Sequence, residues 1–232
     1  MANRGIFVAG TGTEVGKTHI GAMIAGAIMR AGYRVGVYKP VASGCRKEAD
    51  VLFCDDASEL WREAGRPGEF AKVCPQVFRA ALSPPLAARK EGKQVDPALL
   101  RSGLEYWRSR SDVVVVEGAG GLMSPLSEHD YNIDLAAEFG FPLVIVAANR
   151  LGVVNDVLQT VITARTRAPK LPIAGIILNQ TTSRGKDESL ESNVEEVAKR
   201  CDAPLLATVW HGQRMINRSV ADWFDLAAKE SD

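Results

Sequence analysis

The sequence has no excess of charge. Among 232 residues, 28 Lys and Arg stand against 28 Asp and Glu, so no overall field draws the chain to nucleic acid or to an anionic membrane. Any anion site has to be local. No apolar run approaches the roughly 20 residues that cross a bilayer, and Met1 to Gly10 lead into a strand-like segment without a signal-peptide pattern. A cytoplasmic protein with no membrane partner is therefore expected. Cys45, Cys54, Cys74 and Cys201 lack the CxxC spacing of zinc or dithiol motifs and read as packing residues. Internal repeats, low-complexity stretches and long linkers are missing too. With 46% hydrophobic and 24% charged residues, the chain reads as a single domain over residues 1–232 with a full core.

What is present is a rhythm. Apolar, β-branched runs recur at Gly5 to Ala9, Val35 to Tyr38, Val113 to Val116, Leu143 to Ala147 and Ile173 to Leu178, with helical patterns between several of them. Ile20, Met23, Ile24, Ala27, Ile28 and Ala31 keep helical spacing from a start near Lys17, and Gly32 supplies the stop. Further helices are expected over about Asp56 to Ala64, Pro97 to Arg108, Ile133 to Phe139, Val153 to Thr166 and Ser189 to Lys199. Runs such as Val113-Val114-Val115-Val116 suit strands buried on both faces. The expected fold is α/β, a three-layer α/β/α sandwich around a mostly parallel sheet, and the Gly-rich Gly10 to Thr18 segment between the first strand and the first helix makes it one of the phosphate-loop NTPase type. Pro40 to Asp55 shows no clear periodicity, Ser83-Pro84-Pro85 marks a break, and Thr181 to Ser189 reads as an exposed loop.

The strongest chemical signal is Gly10-Thr11-Gly12-Thr13-Glu14-Val15-Gly16-Lys17-Thr18, between a buried strand and an amphipathic helix. Glycines allow tight turns that aim successive amides at phosphate oxygens, the helix N-terminus adds its dipole, and a lysine neutralises the terminal phosphates. Thr18 offers a hydroxyl to magnesium. Gly10 and Gly16 enclose five residues where the common spacing has four, so the loop is a variant. The bland alternative, a glycine turn that merely starts a helix, leaves Lys17-Thr18 unexplained. A second signal is Val116-Glu117-Gly118-Ala119-Gly120-Gly121: a carboxylate at the C-terminal end of a buried strand, where open α/β sheets place their ligands and where magnesium is held. No serine or cysteine triad competes. His19 falls in the first helix, and His129 and His211 lack a motif-borne nucleophile.

Four segments in order, GTGTEVGKT (10–18), GYRVGVYKPVASG (32–44), VVVVEGAGGLMSPLS (113–127) and NRLGVVN (149–155), resemble the dethiobiotin synthetase family, and with Asn179 the likeness spans most of the chain. The resemblance implies closure of the ureido ring of dethiobiotin from 7,8-diaminopelargonic acid and carbon dioxide, driven by ATP. The family route runs through a carbamate and a carbamic-phosphoric anhydride. Matched residue by residue, it implies Lys39, Lys17 and Thr13 as catalytic. Nucleotide contacts fall on Glu14, Val15, Gly16, Lys17, Thr18 and His19, and on Asp56, Glu117, Gly118, Ala119, Gly120 and Asn179, the last as the reader of adenine. Magnesium is implied on Thr18, Asp56 and Glu117. The acceptor is implied on Lys39, Ser43 and Gly120, with Gly152 and Asn155 supplied by the neighbouring subunit of a homodimer.

Each assignment has a plainer alternative. Lys39 also reads as a solvated strand end stopped by Pro40, and Asp55 or Asp56 as a helix N-cap. Asn155 reads equally well as a helix cap. The chain departs from the family pattern at Val209-Trp210-His211-Gly212-Gln213, where a Pro-containing stretch is usual, and the loop after Gly185 lacks an expected tyrosine. Two other readings stand beside the synthetase. One is a related ATP ligase with another acceptor. The other is a partitioning-type ATPase, against which the loop's missing second lysine and the lack of a pronounced cationic face over Val220 to Lys229 speak.

Overall fold

Uninterrupted Val and Ile runs demand cover on both faces, and the computed structural model provides it; it describes residues 4–49, 51–183, 187–216 and 219–224. From the N-terminus, β1 (Gly5–Gly10) feeds α1 (Lys17–Arg30) and β2 (Val35–Tyr38). A short hairpin follows, β3 (Arg46–Glu48) and β4 (Val51–Phe53), then α2 (Asp55–Glu63), α3 (Pro84–Lys90) and α4 (Pro97–Arg108). The second half alternates β5 (Val113–Gly121), α5 (Asn132–Phe139), β6 (Leu143–Ala148), α6 (Val153–Arg167), β7 (Ile173–Asn179), α7 (Ser189–Arg200) and β8 (Leu205–Val209), with α8 (Ala221–Phe224) the last element among the described residues.

Among the described residues the main sheet has six strands in the order β2-β5-β1-β6-β7-β8, paired in parallel throughout. From β1 the chain runs to one edge, and from β5 it turns back across β1 towards the other. Right-handed crossovers running in opposite directions lie on opposite faces of the sheet, which gives the three layers. The reversal leaves a crevice at the C-terminal ends of β1 and β5, the switch point where such sheets bind ligands. Register then sets the chemistry. Tyr38 pairs with Val116 and Val8 with Glu117, so the next residue after β2, Lys39, emerges beside Glu117.

Helix starts follow their local signals. Asp96 caps α4 by accepting from Ala98 and Leu99 N–H, with Pro97 at the first position; loss of such a cap costs about 1 kcal/mol. Ser83-Pro84-Pro85, read as a break, starts α3 instead, because proline suits the first turn where its missing N–H is not needed. The aperiodic stretch before Asp55 contains the β3–β4 hairpin, whose arms are too short to show alternation. Strand β8, only partly buried, lies outside the five runs visible in sequence. Parts of the Thr181 to Ser189 and Val220 to Lys229 segments, Gly185 included, lie outside the described residues.

Candidate active site

The loop after β1 is shaped before any ligand arrives. Gly16 sits at φ 86°, and a Cβ there meets Asn179 Nδ2 at 2.1 Å, so both backbone and space demand glycine. Asn179, at the end of β7, donates from Nδ2 to the Val15 carbonyl at 3.0 Å. Val15 itself is buried beneath the loop. Lys17 Nζ closes the loop on the Gly12 carbonyl at 2.9 Å. Burial lowers the Lys17 pKa, with the nearby Glu117 carboxylate working the other way. Thr13 and Glu14 are exposed at the mouth of a cavity of about 1080 Å³ that Gly16, Lys17, Thr18, Lys39, Asp56 and Glu117 line from below.

At the cavity floor four side chains converge. Lys39, 2% exposed, donates to Glu117 Oε1 at 2.6 Å and pairs with Asp56 Oδ2 at 3.0 Å. Thr18 Oγ1 donates to the same Glu117 oxygen at 2.8 Å. Burial works against the Lys39 ammonium, yet Glu117 and Asp56 outweigh it and hold its pKa above the ordinary lysine value. Burial likewise pushes the Glu117 carboxyl up, against the pull of Lys39. With an ammonium and a hydroxyl both donating to one oxygen, the ionised carboxylate is the form this geometry supports. Asp56 is also raised by burial, but Lys39 prevails and leaves it below the usual carboxylate value.

Neither aspartate is the cap of α2: Cys54 is, its sulfur accepting from Ala57 N–H at 3.5 Å. Asp55 turns outward to Arg46 at 2.9 Å, which leaves Asp56 as the carboxylate facing the cavity. Glu117 Oε2 is buried without a hydrogen-bond partner. Two carboxylates and a hydroxyl around one point suit a hard divalent cation that draws its remaining oxygens from phosphates and water. Among the described residues no set of three or more His, Cys, Asp or Glu side chains could hold a metal unaided.

The turn after β5 is held by a residue that sequence reasoning missed. Asn132, 0% exposed, donates to the carbonyls of Ala119 and Gly121 and accepts from Ala119 N–H. Gly118 packs against it, where a Cβ meets Asn132 Oδ1 at 2.3 Å. Gly118 is therefore structural, whereas Ala119 and Gly120 line the cavity, Gly120 at φ 75°. A lone Asn at a helix start carries no sequence signal for this role. Ser43 also borders the cavity, with its hydroxyl on the Leu82 carbonyl at 2.5 Å.

The far end of the cavity is formed by Asn179 at the end of β7 with Gln180 and Thr181 just beyond it, and by Trp210, His211 and Gly212 after β8. His19 reaches this wall: one ring nitrogen lies 2.8 Å from the Gln213 carbonyl and the other 3.8 Å from Glu59. The Glu59 contact, then Gln213, raise the His19 pKa against burial. Gly152 and Asn155 are not brought in. They open α6 outside the cavity, next to Leu151, which is 80% exposed.

A parallel sheet with a phosphate-type loop at its switch point, backed by Lys17, Thr18 and Glu117, defines a nucleotide-dependent enzyme of the phosphate-loop class. The family model described as an AAA domain matches residues 4–217. The septum site-determining protein MinD complexed with Mg-ADP from Pyrococcus horikoshii superposes with a TM-score of 0.56 at 17% identity, covering 99% of this chain and 96% of that one; at that identity the likeness is one of fold. Sequence relatives go further. The ATP-dependent dethiobiotin synthetase BioD of Rhodopirellula baltica is 46% identical over 88% of this chain and 82% of its own length. The ATP-dependent dethiobiotin synthetase BioD of Anaeromyxobacter dehalogenans is 37% identical over 97% and 98%. The chain belongs to the ATP-dependent dethiobiotin synthetase family.

Proposed function

We propose that residues 1–232 act as one cytoplasmic synthetase domain that closes the ureido ring of dethiobiotin from 7,8-diaminopelargonic acid and carbon dioxide at the expense of ATP. The observation that carries this reading is the buried Lys39 held between Glu117 and Asp56 at the floor of the phosphate-loop cavity. One amine adds to carbon dioxide and loses a proton, giving a carbamate. A carbamate oxygen attacks the terminal phosphorus of ATP and ADP leaves. The second amine then attacks the carbamoyl carbon and gives up a proton as phosphate departs, which closes the ring. Negative charge passes across each step, so positioning and fixed cations supply the catalysis. Lys17 faces the ATP phosphates, Lys39 the carbamate and the transferring phosphoryl group, and Thr13 and Ser43 the rim where both meet.

Magnesium fits the oxygens of Thr18, Asp56 and Glu117, with the partnerless Glu117 Oε2 as part of that fit; when bound, it neutralises phosphate charge. Gly152 and Asn155 lie outside the cavity of their own chain, and the exposed Leu151 beside them supports a homodimer in which they serve the neighbour's acceptor carboxylate. The direct test is phosphate release from ATP and magnesium, with and without the diamine and bicarbonate, while dethiobiotin is followed by mass spectrometry. ATP turnover with no dethiobiotin would redirect the search to another acceptor. The shared site has its own test. Mixing inactive Lys39→Ala and Asn155→Ala chains should restore about a quarter of native turnover, because random pairing makes half of all dimers mixed and each mixed dimer holds one complete site of two. No recovery would place Asn155 outside the neighbour's site.

A further inference from the structure

Three of the four cysteines, scattered in sequence, meet in space. Cys54 lies near both Cys45 and Cys74, and all three are buried and free. Cys54 stands two residues before Asp56, whose carboxylate pairs with Lys39 at 3.0 Å. The hairpin register explains the first pair. Arg46 faces Phe53 at the end of the antiparallel β3–β4 ladder, and the same register carried one residue past the ladder sets Cys45 opposite Cys54. Directly opposed residues of such a ladder have Cα atoms about 4.5–5.5 Å apart, inside the roughly 4.4–6.8 Å that a disulfide spans. The reaction route proposed above uses none of these thiols.

We propose that Cys45 and Cys54 are a reversible oxidation site, joined as a disulfide by a peroxide, and that the link disturbs the lysine-carboxylate cluster beside it. The chemistry balances. Cys54 sulfur takes one oxygen from hydrogen peroxide to become a sulfenic acid, and one water leaves. Cys45 sulfur displaces the second water, so both thiol hydrogens end in water, two sulfurs are oxidised and the peroxide is reduced. Access comes through the hairpin, a two-stranded piece with exposed β3 residues, of the kind that is marginal alone and opens locally at low cost. The effect follows from position. Cys54 caps α2, and Asp56 in the first turn of that helix pairs with Lys39, so tying Cys54 to Cys45 re-aims Asp56.

The test is a peptide map of the full chain after hydrogen peroxide, alkylation and digestion without reduction. A Cys45–Cys54 linked peptide that disappears with dithiothreitol is expected. Turnover should fall about 10-fold or more, as small misplacements near reacting groups do, and dithiothreitol should restore it. Methionine oxidation is not reversed by that reagent. Cys45→Ser should keep its turnover through the same treatment, and Cys45→Ala serves if serine unsettles the core. A missing link, a Cys54–Cys74 link in its place, or inactivation that persists without Cys45 would overturn the proposal. The map needs no substrate, so its outcome is independent of the reaction assigned; the loss of turnover alone rests on the role given to Lys39.

Discussion

The two ends of the cavity are built differently. The phosphate end comes from one continuous loop and one pair of adjacent strands, and its charged groups are buried against each other. The far end comes from two segments some thirty residues apart, after β7 and β8, tied across to α1 through His19 and Gln213. The first is fixed by strand register and closed by ion pairs in low dielectric. The second is held by hydrogen bonds at a partly exposed edge, where water competes. Reacting groups belong at the first end and tolerance of sequence change at the second, which is where Val209 to Gln213 departs from the family pattern.

The sharpest way to break that contrast is Lys39→Ala. Removing a cation aimed at developing negative charge should lower turnover by roughly 10²–10³-fold. As the solvated strand end that the sequence also allowed, this lysine would be removable without harm to folding. Its burial says otherwise: the substitution strands Glu117 as a buried charge, a loss of about 3–5 kcal/mol when one partner of such a pair goes. Adding Glu117→Gln should return much of the stability, read by thermal melting, and none of the turnover. A single Lys39→Ala chain as stable as the parent would show that the pair is not held as described.

Lys17→Ala comes next. Charge-assisted hydrogen bonds contribute about 1.5–3 kcal/mol, so ATP affinity measured calorimetrically should fall roughly 10- to 150-fold. Unchanged affinity would remove the loop from the nucleotide site. The smallest effect belongs to His19. Its pKa is raised in the folded chain, so its contribution is complete below the unfolded value of about 6.5 and is lost as pH rises through the higher folded value. The melting-temperature gap between the parent and His19→Gln should therefore be widest near pH 6 and narrow towards pH 8. At a partly exposed contact it should amount to a few degrees at most. A gap independent of pH would make the His19 contacts purely structural.

Legibility in sequence followed contiguity. The phosphate loop, five of the sheet strands and α1 were readable because their signals lie within a few residues. The place of Glu117 towards the C-terminal end of a buried strand was readable because it ends a valine run. The Lys39–Glu117 pair was not, since 78 residues separate the two and only the placing of β5 beside β2 unites them. Asn132 was missed because a buried amide that holds a turn looks like any other Asn. The thiol cluster was missed because the spacing of Cys45, Cys54 and Cys74 matches no local motif; a hairpin and a long return segment assemble it. The family resemblance supplied what local pattern did not, chiefly the roles proposed for Lys39 and Asp56.

The wedge of Asn179 against Gly16 and Val15 carries one more consequence. Because the end of a distant strand already sculpts the loop, its conformational entropy is surrendered when the chain folds rather than when nucleotide arrives. Capture of ATP should then proceed as a single fast encounter without a loop-ordering phase. Asn179→Ala, which frees the Val15 carbonyl, should introduce the slow step that the native chain avoids.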